Sequence, residues 1–214
     1  MGWAGPGPDD VGKRHARFDR AVPGGKMRVM DSPSPPHPDA VLRFWFEELA
    51  PAQWWSGGSA LDADIRQRFG AVLTAAARCE LAHWRSEPTG RLAEILVLDQ
   101  FSRHVHRGEP RAFAQDALAL GLAQTAVALG ADQALPPAQR AFLYMPYMHS
   151  ESPLIHAEAL RLFGAPGLER QLEAERRHWA VIERFGRYPH RNAALGRAST
   201  PEERAFIATP GTAF

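Results

Sequence analysis

Apolar residues recur along this chain at helical spacing, and no stretch alternates with period two between hairpin turns. The clearest run is Ile65, Phe69, Val72, Leu73 and Ala76, one face of an amphipathic helix. Ser59 reads as its N-cap, with Asp62 three residues on in capping-box spacing. Leu81 and Trp84 continue the apolar face until Pro88-Thr89-Gly90 breaks the chain. Upstream, Pro38-Asp39 opens a helix whose next turns, Val41 to Phe46, are apolar on nearly every side and so buried. Trp54 and Trp55 follow in a loop.

The helix from about Arg91 to His106 is the most informative. At 100° per residue, Leu92, Ile95, Leu96, Asp99, Ser102, Arg103 and His106 share one stripe. The stripe begins aliphatic and turns polar, and Asp99 and Arg103, four apart, can pair. Such a stripe reads as a helix end opening into a pocket. Further on, a helix from about Phe113 to Leu129 should face inward through Leu118, Leu122, Thr125 and Leu129, with Gly130 at C′. Pro136-Pro137 opens another, and Pro146 is expected to end it before the irregular, polar run Tyr147 to Ser152. Ser152-Pro153 restarts helix as N-cap and N1, and Gly164 closes it. A helix from about Leu168 to Phe185 turns Leu172, Trp179 and Ile182 inward and ends at Gly186, suited to a left-handed C′. Thr200-Pro201-Glu202-Glu203 is a full capping box with Pro at N1.

These elements predict an all-α fold of about eight helices, joined by connections short enough for antiparallel helical hairpins. Residues 1–37 are rich in Gly, Pro, Arg and Asp and are expected to form a disordered tail. Residues 38–214 are expected to form a single domain. A formal net charge of +1 offers no global field toward nucleic acid or membrane. Arginines cluster late in the chain, but glutamates interleave with them, so no nucleic-acid partner is expected. No apolar run reaches the roughly 18 residues of a membrane helix. The only cysteine, Cys79, rules out an internal disulfide and reads as inert helical core. A cytoplasmic location follows from that usage.

Three runs together resemble a known family. They are Leu98 to Arg103 with Arg107-Gly108 and Ala112-Phe113; Phe142 to Pro146 with Met148 to Glu151; and Phe185 to Arg197 with Ser199 to Glu203. The chain from about Val41 to Ile207 resembles the bacterial domain-of-unknown-function family 924. Two places depart from the family pattern, Trp55-Ser56-Gly57-Gly58 and Ser102, and neither touches the polar motifs. The resemblance implies a TPR-like, all-helical fold and brings no established activity.

Candidate chemistry therefore rests on polar residues standing where core or turn is expected. The run Phe185 to Arg197 holds Arg187, His190, Arg191, Asn192 and Arg197 between Gly and Pro breaks, so it cannot be one regular helix. Guanidinium forks suit carboxylate or phosphate. Convergence with Asp99, Gln100, Arg103, Arg107 and the His149-Ser150-Glu151 segment would build a pocket for a small anion. His149 or His190 would be its acid/base, with Glu151 or Asp99 as the orienting partner. The same residues could instead pin helix ends as a structural network. His149, Glu151 and His190 would suffice for a zinc-like ion, but their spacing matches no helical ligand pair, and neither metal nor cofactor is assigned. His156 and His178 read as ordinary helix-surface residues. The alternative to an enzyme or enzyme-like binder is a TPR-like module gripping a protein or peptide partner.

Overall fold

The computed structural model describes residues 37–55 and 57–210. The expected disordered tail, except for its last residue, lies outside them. Among the described residues there is no strand, and the all-α expectation holds. Helix α1 (Pro38–Arg43) runs directly into a π-helical turn (Phe44–Glu48), and α2 spans Ser59–Ala77. Then α3 (Pro88–Leu96), a second π turn (Val97–Phe101) and α4 (Ser102–Val105) follow without leaving helical backbone, as one bent helix. The remainder is α5 (Asp116–Ala128), α6 (Pro137–Met148), α7 (Pro153–Phe163), α8 (Glu169–Phe185) and α9 (Pro201–Ile207). With α3 and α4 joined, the described residues hold the expected eight helices.

The bent helix is the hub. It packs against α1, α2, α5 and α6, and its residues Leu92 to Gln100 are all buried. One contiguous core runs from Val41 on α1 to Leu168 just before α8. A separate small cluster, Val181, Ile182 and Tyr188 with Phe185 and Phe206, ties the C-terminal run to the end of α8. The face expected on α2 is buried as predicted. Gly186 ends α8 at φ 67°, and Thr200 and Glu203 form the capping box of α9.

Several local expectations fail for identifiable reasons. Pro146 sits inside α6, which continues to Met148. Its missing N–H costs one bond, and tight burial from Ala141 to Met148 holds the helix. On α5 the buried face is Ala119, Ala123 and Ala126, while Leu129 is exposed; small residues let α5 approach the hub closely. Cys79 is not helical core: it is exposed in a turn at φ 59°, uncommon for a non-glycine residue. Asp62 lies in the first turn of α2 but is bound by side chains from α4 and its C-terminal flank.

Candidate functional site

The π turn sets the geometry. Such turns arise where a helix absorbs one extra residue, and they are frequent at functional sites. Here the turn holds Asp99, fully buried, and Gln100, nearly so, among apolar neighbours. Gln100 Nε2 donates to Asp99 Oδ2 at 2.6 Å, and His149 Nδ1 lies 2.7 Å from Oδ1. His149 is the C-cap of α6, which delivers its ring to the carboxylate.

Asp99 is held ionised. Burial alone would raise its pKa, but His149 and Arg103 outweigh that and bring it to about 2. A carboxylate only accepts, so the His149 proton sits on Nδ1. Burial first, then the Arg103 charge, pushes the His149 pKa below its ordinary value, against the pull of Asp99. At neutral pH the ring is therefore neutral and Nε2 carries a lone pair. No hydrogen bond to that nitrogen occurs among the described residues, and the side chain is 17% exposed.

Arginines frame the pair. Arg103 donates from Nη1 to the Asp99 carbonyl at 2.7 Å and grips Asp116 with both Nη groups, at 2.9 and 3.0 Å. Arg191 donates to Asp116 at 3.0 Å and to the His149 carbonyl at 2.8 Å. Its guanidinium is sandwiched between the Phe113 and Tyr188 rings, 4.7 Å from each centroid. His190 lies on the other partner ring, 5.4 Å from Tyr188, with its pKa lowered to about 4 by burial and by Arg191. The structure thus brings Asp99, Gln100, Arg103, His149, His190 and Arg191 together.

Other expected site residues are spent elsewhere. Glu151, expected to orient a histidine, accepts two bonds from Arg197 at 2.7 and 2.9 Å and one from the Tyr188 N–H. Arg187 grips Glu203 at 2.6 and 2.9 Å, and Asn192 donates to Ser199 and Glu203. Those two residues fasten the capping box of α9. Arg107 does not reach the Asp99 cluster; it binds Asp62 at 2.6 and 2.8 Å beside His104, passing so close to Gly57 that a Cβ there would meet its guanidinium at 2.1 Å. Each of the five candidate arginines is therefore bound to a carboxylate. Three buried atoms of the C-terminal run, Arg191 Nε, Asn192 Oδ1 and Arg197 Nε, have no hydrogen-bond partner among the described residues.

The surface reading of His156 is overturned. It is fully buried, with Nδ1 2.6 Å from Glu175 Oε1 and Nε2 donating to the Ser150 carbonyl at 2.9 Å. His178 is partly buried, and burial lowers its pKa to about 3. Tyr188 is the residue that sequence reasoning missed: its hydroxyl donates to the Met148 carbonyl at 2.5 Å and its ring carries Arg191. No grouping of three His, Cys, Asp or Glu among the described residues is arranged to hold a metal ion. No described helix is long and apolar enough to cross a membrane.

Comparison with known proteins agrees with the architecture and leaves the chemistry open. Residues 41–211 match the model of a family described as bacterial proteins of unknown function, DUF924. A solved structure of a protein of unknown function from Agrobacterium tumefaciens is similar, at 36% identity and a TM-score of 0.76. That likeness covers 80% of this chain and 96% of the other. No curated protein matches the chain.

Proposed function

The chain belongs to the DUF924 family of bacterial proteins, and from that premise we propose an enzyme or enzyme-like binder that moves a proton on a small anionic molecule. The observation that carries this reading is His149, oriented through Nδ1 by a buried carboxylate and kept neutral, with Nε2 uncommitted at a partly exposed edge. An imidazole so placed is a general base. On taking a proton at Nε2 it becomes an imidazolium stabilised by the adjacent Asp99 carboxylate, 2.7 Å away. Arg103 and Arg191 at the same edge offset the Asp99 and Asp116 carboxylates, so an anion there meets balanced charge and no net repulsion.

The test is a thermal-shift screen of the whole chain against phosphate esters, small carboxylates and nucleotides. A ligand at about 100 times its dissociation constant adds about 2.7 kcal/mol. That corresponds to a rise of roughly 5–10 °C for a chain of this size. The rise should vanish in His149→Gln and Arg191→Ala. A screen in which every shift survives His149→Gln sinks the reading.

A second reading, a TPR-like module for a protein or peptide, draws on the pairing of every candidate guanidinium and on exposed Leu129 and Leu154. Under it the network is a clamp. Arg191→Ala would then lower the melting temperature, and no small anion would move it.

A further inference from the structure

The end of the bent helix also borders a cavity. It has a volume of about 280 Å³ and opens between the C-terminal half of α2, α4 with its C-cap His106, and the chain between Arg111 and Gln115. Small-molecule sites begin near about 300 Å³. None of its lining residues belongs to the Asp99–His149 network.

Its charges have no ion-pair partner among the described residues. Arg78 and Arg111 line it, both exposed, and neither side chain has an ion pair or hydrogen bond among the described residues. No carboxylate is in the lining. Glu109 stands outside it, with Oε2 3.8 Å from His106 Nδ1. Burial, then Arg111, keeps His106 below its ordinary pKa, with Arg66 acting the same way and Glu109 opposing.

Three more features mark the lining. Ser102 is 1% exposed, and its Oγ has no hydrogen-bond partner among the described residues. Gln115 adds an amide, while Leu73 and Val105 supply buried apolar wall. Gly70 lies inside α2, and a Cβ built there meets nothing within 4 Å, so packing does not demand a glycine.

We propose that this cavity binds a small organic anion, its charged head on Arg78 and Arg111 and its apolar body against Leu73 and Val105. Two guanidinium groups with no ion pair among the described residues are matched by a carboxylate or a phosphate monoester, which accepts their paired N–H groups. The Gln115 amide adds a polar contact. The apolar wall favours an organic anion over an inorganic one. This site stands apart from the proton-transfer reading at His149.

The test uses the whole chain with benzoate, butyrate, phenyl phosphate and inorganic phosphate, followed by melting and by calorimetry. At about ten times its dissociation constant, an organic anion should raise the melting temperature by about 3–6 °C. Benzoate against phenyl phosphate identifies the head group. The shift should disappear in the double variant Arg78→Ala/Arg111→Ala, whose side chains are exposed, and in Gly70→Leu, which fills the space. It should persist in His149→Gln, which separates this site from the other. The proposal is overturned if no organic anion shifts the wild type or if inorganic phosphate does as well. It is equally overturned if the shift survives the double variant or is lost in His149→Gln.

Discussion

The Asp99–His149 network and the Arg78–Arg111 cavity flank the same helix end and treat charge in opposite ways. In the network, Arg103 and Arg191 share Asp116, and the neighbouring Arg187 and Arg197 each hold a glutamate. In the cavity, two arginines face open volume with no carboxylate in the lining. Residue type alone does not separate a clamp from a site. Pairing does: a guanidinium already bridged by a carboxylate has little left for a ligand. The network's uncommitted capacity is the His149 lone pair, whereas the cavity's is charge and space. The two regions should therefore respond very differently to mutation.

The largest difference should come from removing one charge on each side. Asp99→Ala strips His149 and Arg103 of a buried carboxylate. Breaking such a group typically costs about 3–5 kcal/mol, a fall of roughly 6–20 °C in melting temperature at this chain length. Arg78→Ala removes an exposed, unpaired side chain and should stay within about 0.5 kcal/mol of wild type. Equal melting temperatures for the two variants would erase the contrast.

Acid should find the network next. Asp99 and Glu203 have folded-state pKa values of about 2, against ordinary values of 3.8 and 4.5. For Glu203 the Arg187 bonds come first among the causes, then the Thr200 N–H. A depressed carboxylate stabilises above its unfolded pKa and loses that contribution as pH falls through the folded value. The melting temperature should therefore drop progressively between about pH 4.5 and pH 2. Glu203→Gln should melt lower at pH 7 and flatten part of the slope. An unchanged slope would remove Glu203 from the account.

A smaller, sharper effect concerns the lone pair itself. Arg103 lowers the His149 pKa, so Arg103→Gln should move the ring's titration upward, read by NMR of the imidazole protons. The folded-state pKa lies below the unfolded one, so neutral His149 favours folding near pH 7, and that advantage fades as pH falls. Arg78→Ala should leave the titration of His149 in place. An unmoved or lower titration in Arg103→Gln would leave burial alone as what keeps the ring neutral.

Much of the frame was legible from local chemistry. The α2 stripe, the Gly186 cap and the Thr200 box follow from spacing and side-chain size, and each stands where it was expected. Asp99 was legible too, as an acid among leucines. What stayed hidden depends on contacts far apart in sequence. Asp62 meets Arg107 45 residues away, and Glu175, inside a charged run that reads as solvated, pairs with buried His156. The π turn has no periodic signature, so Asp99, Ser102, Arg103 and His106 read as one stripe. In the folded chain Asp99 and Arg103 join the network, while Ser102 and His106 border the cavity. Arg78, Arg111 and the void between them leave no trace in local sequence.

The smallest predicted effect asks why that void exists. Two glycines lie in neighbouring helices under opposite constraints. At Gly90 a Cβ would stand 2.0 Å from the Trp84 carbonyl oxygen, so packing explains the glycine and Gly90→Ala should destabilise. At Gly70, within the 19-residue α2, a Cβ meets nothing within 4 Å. Glycine inside a helix costs about 0.5–1 kcal/mol relative to alanine. Gly70→Ala should therefore raise the melting temperature by roughly 1–4 °C, the reverse of Gly90→Ala. If it also weakens the benzoate or phenyl phosphate response, the open space at Gly70 serves the ligand at the expense of the helix. If Gly70→Ala leaves that response intact while stabilising the fold, the glycine has no part in the cavity, and only the arginines distinguish this region from the network.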